Sequence, residues 1–110
     1  MEINATKEKN ALIVSVKGKI DAISAPDFEK QLEGWMNQGE INFIINLGEL
    51  DYISSAGLRS VLVTAKKLKV KNGLIFLAAL TDVVKDVFEI SGFSSIIPIY
   101  ESIESALAEM

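Results

Sequence analysis

Neither cysteine nor histidine occurs among the 110 residues, and only two prolines and one tryptophan are present. Without cysteine the chain has no disulfide, no thiolate metal site and no thiol nucleophile. Without histidine it has no Ser-His-Asp triad, no histidine-ligated zinc and no base whose unperturbed pKa lies near 7. Most hydrolase and metalloenzyme chemistry is therefore excluded, and we expect no catalytic residue, no bound metal and no cofactor.

Basic residues are also in the minority, since 11 lysines and arginines face 15 aspartates and glutamates for a net charge of −4. Nucleic acid is not an expected partner, because phosphate backbones are bound by clustered basic side chains. No apolar run approaches the roughly 18 residues of a membrane-spanning helix. The first residues lack the basic segment and apolar core of a secretory signal. We therefore expect a cytoplasmic protein without direct membrane insertion.

Apolar residues alternate along the chain between the spacing of strands and that of helices. Strands are predicted over residues 2–7, 12–16, 41–47, 74–77 and 96–99. Residues 17–19, Lys-Gly-Lys, are predicted to terminate the second strand. Helices are predicted to begin near Ser24, Ser54, Thr81 and Ser102. The order predicts an α/β fold over one domain, residues 1–110. Its mixed central β-sheet, an initial hairpin followed by parallel strands, packs with about four α-helices.

Two adjacent serines, Ser54 and Ser55, stand between a buried strand and the longest amphipathic helix. A helix N-terminus leaves backbone N–H groups unpaired and carries a partial positive charge, so a serine there can cap the helix or carry a phosphate. One cap needs only one serine. The small residues Ala56 and Gly57 that follow indicate a backbone that another group approaches closely.

The segment Tyr52-Ile53-Ser54-Ser55-Ala56-Gly57-Leu58-Arg59, together with the strand before it, resembles the STAS family. The segments Gly18-Lys19-Ile20-Asp21-Ala22 and Val87-Phe88-Glu89-Ile90-Ser91-Gly92-Phe93 are similar to two further parts of that family. As a set at these spacings the three motifs are specific. The resemblance extends over nearly the whole chain, and chains of this length resemble bacterial anti-sigma factor antagonists.

The resemblance implies a regulator that acts by binding and not as an enzyme. The unphosphorylated antagonist binds an anti-sigma factor that is itself a serine kinase of the GHKL type, and the sigma factor is released. Phosphorylation at the position of Ser55 reverses this binding, and a PP2C-type phosphatase resets the protein. The implied partner-binding residues are Asp21, Ser54, Ser55, Ala56, Gly57, Leu58 and Arg59.

Many antagonists have an aspartate directly before the phosphorylated serine, and Ser54 occupies that place here. Ser54 is therefore the alternative phosphorylation site. Two other uses of the fold stay open, namely an accessory subunit of a lipid-transport ABC complex and a stressosome-type scaffold. An enzyme with Ser55 as nucleophile and Lys66 or a carboxylate as base is disfavoured, because no second polar group stands at a spacing that guarantees contact.

A local basic cluster follows in the same helix, formed by Lys66, Lys67, Lys69 and Lys71. We interpret it as a solvated helix face, which the helix dipole favours near a C-terminus. Contact with an acidic partner or with a nucleotide phosphate is the alternative interpretation.

Overall fold

A computed structural model describes all 110 residues, and its sheet has five strands in the order β1-β2-β3-β4-β5. The first pair is antiparallel and the other three are parallel. The predicted mixed α/β fold with an initial hairpin and four helices is confirmed. The elements are β1 Glu2–Glu8, β2 Ala11–Ile20, α1 Ala25–Asn37, β3 Asn42–Ile53, α2 Ser55–Val70, β4 Leu74–Ala78, α3 Asp82–Ile90, a 3-10 turn Phe93–Ser95, β5 Ile99–Tyr100 and α4 Ile103–Ala108.

Helices α1, α2 and α3 cover one face of the sheet, because each parallel connection advances one strand in the same direction. Right-handed connections that advance the same way place their helices on the same side. The main core lies under these helices and includes Phe28, Leu32, Leu68 and Phe88. Helix α4 packs on the opposite face, where Ala106 closes a smaller apolar cluster.

Strand β3 is buried on both faces, as its apolar sequence predicts. Phe43 and Ile45 belong to the core under the three helices, whereas Ile44 belongs to the cluster under α4. All three side chains have no exposed surface. A central strand in this position fixes the register of the whole sheet, since a slip of one residue would exchange the two faces.

Strands β2 and β3 are both longer than predicted. Strand β2 does not end at residues 17–19 but continues to Ile20, through a register irregularity at Gly18, whose φ is 94°. Strand β3 passes Leu47 and ends at Ile53. The polar residues in the second half of β3, which the prediction left outside the strand, occupy exposed positions. Leu50 between them is fully buried.

The last strand is the least accurate prediction. Strand β5 comprises only Ile99 and Tyr100, in place of residues 96–99. The chain turns through the 3-10 segment Phe93–Ser95 before it reaches the sheet, and Pro98 offers no N–H to a ladder. Strand β4 consequently has a neighbour on this side only at Leu77 and Ala78.

The four helices begin where they were predicted to begin, although Ser24 precedes α1 without a side-chain cap hydrogen bond. Thr81 and Ser102 accept hydrogen bonds from Val84 N and Ser105 N at the starts of α3 and α4. Pro26 stands in the first turn of α1. None of the helices combines the length and the apolar character that crossing a membrane requires.

Candidate functional site

The carboxyl ends of β2 and β3 bring the two loops of interest together. The strands are parallel neighbours, and Ile20 pairs with Ile53 at their ends. The Ser54 N–H then donates to the Ile20 carbonyl at 2.8 Å, which joins the start of α2 to the end of β2. The turn that follows β2 and the serine pair before α2 therefore share one edge of the sheet.

Ser54 is the N-cap of helix α2. Its backbone is extended, and its hydroxyl accepts a hydrogen bond from Gly57 N at 3.1 Å. Ser55 is the first residue of the helix and is exposed. The structure contains no hydrogen bond to the Ser55 side chain. The two serines thus have different environments, since one closes the helix and the other presents a free hydroxyl to solvent.

The position of Gly57 has no room for a side chain, because the protein's own core packs against it. A Cβ atom at Gly57 would lie 2.8 Å from both Ile20 Cγ2 and Ile53 Cγ1. These are the last residues of β2 and β3, so the group that approaches the backbone closely is the protein's own core. The Ala56-Gly57 pair therefore does not by itself indicate an external ligand.

The other expected partner-binding residues differ in exposure: one is on the surface, and the others pack against the core. Arg59 is exposed, and none of the ion pairs in the structure involves it. Gly57 and Leu58 are buried, with 8% of Leu58 exposed, and they hold the helix against the sheet. Ala56 is half-buried and packs against the core. The accessible part of this segment is thus Ser55 and Arg59.

Asp21 organises the turn that leads into α1. Its carboxylate accepts hydrogen bonds from Ser24 N at 2.9 Å, Ser24 Oγ at 3.0 Å and Ile23 N at 3.1 Å. The Ser24 hydroxyl in turn accepts from Asp21 N at 2.9 Å. This reciprocal pattern satisfies backbone donors in the turn before α1, whose own N-cap Ser24 makes no side-chain cap hydrogen bond to the helix. Asp21 therefore has a structural role that the sequence alone left open.

The same contacts lower the pKa of the Asp21 carboxyl. The Ser24 amide has the largest effect and the Ser24 hydroxyl the next, while the Ile23 amide and the charge of Lys19 contribute less. Partial burial acts in the opposite direction. Lys19 Nζ stands 4.0 Å from the carboxylate. The net effect is that folding favours the charged carboxylate.

Two exposed apolar residues at this end of the sheet were missed by the sequence analysis. Ile23 lies in the turn after Asp21 and is 90% exposed, and Tyr52 lies at the end of β3 and is 51% exposed. Tyr52 pairs in register with Lys19 near the carboxyl ends of β3 and β2. Tyr52 and Lys19 therefore belong to the edge of the sheet that carries Ser55. An isoleucine inside a turn, where polar residues are usual, was the available signal.

A model of the STAS domain matches residues 2–106. The chain belongs to the STAS domain family. BtrV of Bordetella bronchiseptica, a candidate anti-sigma factor antagonist, is 42% identical over 108 residues, 98% of this chain and 93% of the relative. The anti-sigma-B factor antagonist of Staphylococcus aureus is 25% identical over 104 residues, 94% of this chain and 96% of the relative. The resemblance to antagonists within the family is confirmed.

Solved structures share the fold. A candidate anti-sigma factor antagonist from Thermotoga maritima superposes with a TM-score of 0.93 at 19% identity, covering 97% of this chain and 92% of that chain. The Bacillus cell fate determinant SpoIIAA, in its phosphorylated form, has a TM-score of 0.76 at 18% identity and covers 98% of both chains. At these identities the two structures bear on the fold alone.

The two serines should respond differently to alanine. Ser54→Ala removes the cap of α2, so we expect it to lower the free energy of unfolding by about 1 kcal/mol. Ser55→Ala removes an exposed hydroxyl and should change that free energy by less than about 0.5 kcal/mol. Urea unfolding of the two variants beside the unmodified protein measures both values. Equal losses for both variants would contradict the assignment of Ser54 as the cap.

The charge of Asp21 should make stability depend on pH. Because its pKa is lower in the folded state, its carboxylate stabilises the fold above about pH 4, the range of an unfolded aspartate. That contribution is lost as the pH falls through the lowered folded pKa. Asp21→Asn keeps an acceptor oxygen but not the charge, so its stability deficit at pH 7 should shrink towards pH 3. Urea unfolding at both pH values measures the deficit, and one that stays constant would rule out the charge effect.

Proposed function

We propose that this protein is an anti-sigma factor antagonist with Ser55 as a phosphorylation switch. In its unphosphorylated form the single domain binds an anti-sigma factor serine kinase in the cytoplasm, and the sigma factor is released. Phosphorylation of Ser55 ends that binding, and a PP2C-type phosphatase restores it. The domain serves as ligand and as substrate and carries no catalysis of its own. The relatives named as antagonists support this proposal.

The observation that carries the proposal is the environment of Ser55. A kinase must reach the hydroxyl, and Ser55 is exposed with no hydrogen bond to its side chain. Ser54 is only half exposed and its oxygen is engaged with Gly57 N. Ser54 would have to release the helix start before a kinase could modify it. The geometry therefore favours Ser55 over the alternative site Ser54.

A phosphate on Ser55 is compatible with the fold. It adds about −1.5 to −2 charges at a helix N-terminus, where the dipole favours negative charge by up to ~1–2 kcal/mol. Arg59 follows four residues later, one turn along the same side of α2, and has no carboxylate partner. We therefore expect the phosphate to leave the helix folded and to act on the partner.

The effect on the partner follows from the surface beside Ser55. Ile23 and Tyr52 are exposed apolar groups, and apolar anchors of this kind dominate binding energies at protein interfaces. A phosphate beside them must lose water when a partner covers the edge, which costs free energy unless it is paired. A loss of about 2.8 kcal/mol weakens binding about 100-fold.

Pull-downs from lysate of the source cell test the switch, with Ser55→Ala and Ser55→Asp as baits. The alanine bait should capture a GHKL-type serine kinase, because its surface stays neutral, and the aspartate bait should lose it. Mass spectrometry identifies the captured proteins. If both baits capture the same ATPase or transporter subunit, or neither captures a kinase, the proposal is wrong and the domain is a constitutive docking module.

The same pull-down contains a matched control for the apolar pair. Ile23→Ala with Tyr52→Ala should weaken kinase capture by tenfold or more, the usual size of an anchor's contribution. Val70→Ala removes another exposed apolar group, 85% exposed, at the far end of α2 and should leave capture unchanged. Equal capture by both variants would place the kinase contact elsewhere.

A further inference from the structure

A second surface feature lies at the opposite end of α2 from Ser55. It is a groove of about 440 Å³ between the second half of α2, the start of β4 and the chain just before β5. Its lining includes Leu62, Ala65, Leu74 and Ile96 as apolar groups and Lys66 and Lys69 as charged groups. No acidic residue contributes to the lining.

The groove exists because the sheet stops early on this side. Strand β5 pairs with β4 only at Leu77 and Ala78, so the first residues of β4 have β3 on one side and no strand on the other. The 3-10 turn Phe93–Ser95 and Pro98 carry the chain past this edge without filling it. Leu74 and Ile96 are left 43% and 58% exposed at its margins.

The charges of the groove have one sign. Lys66 and Lys69 are three residues apart on α2, which places them on the same side of the helix. Neither forms an ion pair with a carboxylate, whereas the neighbouring Lys67 bonds to Glu33 at 3.0 Å. An apolar cleft of several hundred Å³ with a few convergent polar groups has the form of a small-molecule site. The chain has a net charge of −4, so this cationic rim is a local exception.

We propose that the groove binds an anionic amphiphile, that is, a single apolar chain with a carboxylate or phosphate head. The apolar chain lies between Leu62, Leu74 and Ile96, and the head pairs with Lys66 and Lys69. Charge complementarity selects this ligand, because both ammonium groups repel a cationic head and gain no charge-assisted contact from a neutral one. A free anion without an apolar chain would leave the apolar lining exposed.

The groove is distinct from the Ser55 edge. Leu62 is seven residues along α2 from Ser55, a rise of about 10 Å, and Lys69 lies two further turns away. No residue of the groove lining belongs to the Ser55 edge. Amide signals from the two regions therefore report separately on this proposal and on the proposed phosphorylation switch.

Decanoate is the probe for the experiment, titrated into the ¹⁵N-labelled full chain and followed by NMR. We expect saturable shifts of amides in residues 62–76 and 96–97, with the amides of residues 54–59 unmoved. Decyltrimethylammonium, which has the same chain length and the opposite charge, should bind at least tenfold more weakly. Inorganic phosphate alone should produce no saturable shift. Absence of decanoate shifts, or equal binding of the cationic compound, would overturn the proposal.

Two double variants test the lysines at matched charge. Lys66→Gln with Lys69→Gln removes the rim of the groove and should weaken decanoate binding about tenfold or more, as expected for loss of charge-assisted contacts. Lys67→Gln with Lys71→Gln removes the same charge from α2 and its C-cap, outside this lining, and should retain most of the affinity. Equal weakening by the two double variants would overturn the assignment.

Two further arms distinguish other occupants. Sedimentation with phosphatidylglycerol vesicles, in the absence of decanoate shifts, would replace the single-molecule ligand by a membrane surface. Shifts at the same amides caused by a short peptide of alternating leucine and glutamate, but not by decanoate, would replace it by an acidic protein segment. Either result would overturn the proposal as stated.

Discussion

The contact between the start of helix α2 and the ends of strands β2 and β3 is the constraint on which the site depends. The Ser54 N–H bonds to the Ile20 carbonyl, and Gly57 leaves no room for a side chain between Ile20 and Ile53. This contact holds the first turn of α2 close against the ends of β2 and β3. It thereby places the serine pair beside the turn that Asp21 closes.

A division of roles between the two serines follows from that contact. The Ser54 hydroxyl accepts the hydrogen bond that caps α2. The Ser55 hydroxyl is therefore not needed to cap the helix. Ser55 can then carry a modification on the outside of a completed cap. A modification at Ser54 would compete with the cap of α2, whereas the proposed modification at Ser55 is expected to change the surface that the edge presents to a partner.

The edge around Ser55 combines features that suit regulated binding. Ile23 and Tyr52 provide exposed apolar area, and Arg59 provides a cation without a partner in the chain. Asp21 has 31% of its side chain exposed, and its hydrogen bonds define the turn. A charge added among these groups therefore alters a surface whose geometry is held by the fold beneath it.

The sequence predicted the fold well where the apolar spacing is regular. The helices α1 and α2, the doubly buried strand at Phe43–Ile45 and the caps at Thr81 and Ser102 all follow from local patterns. The far ends of β2 and β3 could not be predicted, because their pairing is non-local and places polar residues on exposed positions. The short β5 depends on tertiary packing around the turn at Phe93–Ser95, which periodicity does not report.

The site was predictable in part for the same reason. The serine pair at a helix start is a local signal, but the distinction between Ser54 and Ser55 depends on which hydroxyl faces Gly57 N. The role of Asp21 depends on the turn to Ser24, and the exposure of Ile23 depends on how that turn lies on the sheet. These features depend on the folded structure, and the spacing of residues in the sequence does not predict them.

Urea unfolding of the Ser55-phosphorylated protein beside the unmodified protein tests the central claim, that the switch acts at the surface and not through the fold. The account predicts that the free energy of unfolding stays within about 1 kcal/mol or rises slightly, as the dipole effect allows. It also predicts that amide NMR shifts remain confined to the edge around Ser55. A loss of more than about 2 kcal/mol, with shifts spread through the core, would show that phosphorylation acts by loosening the fold.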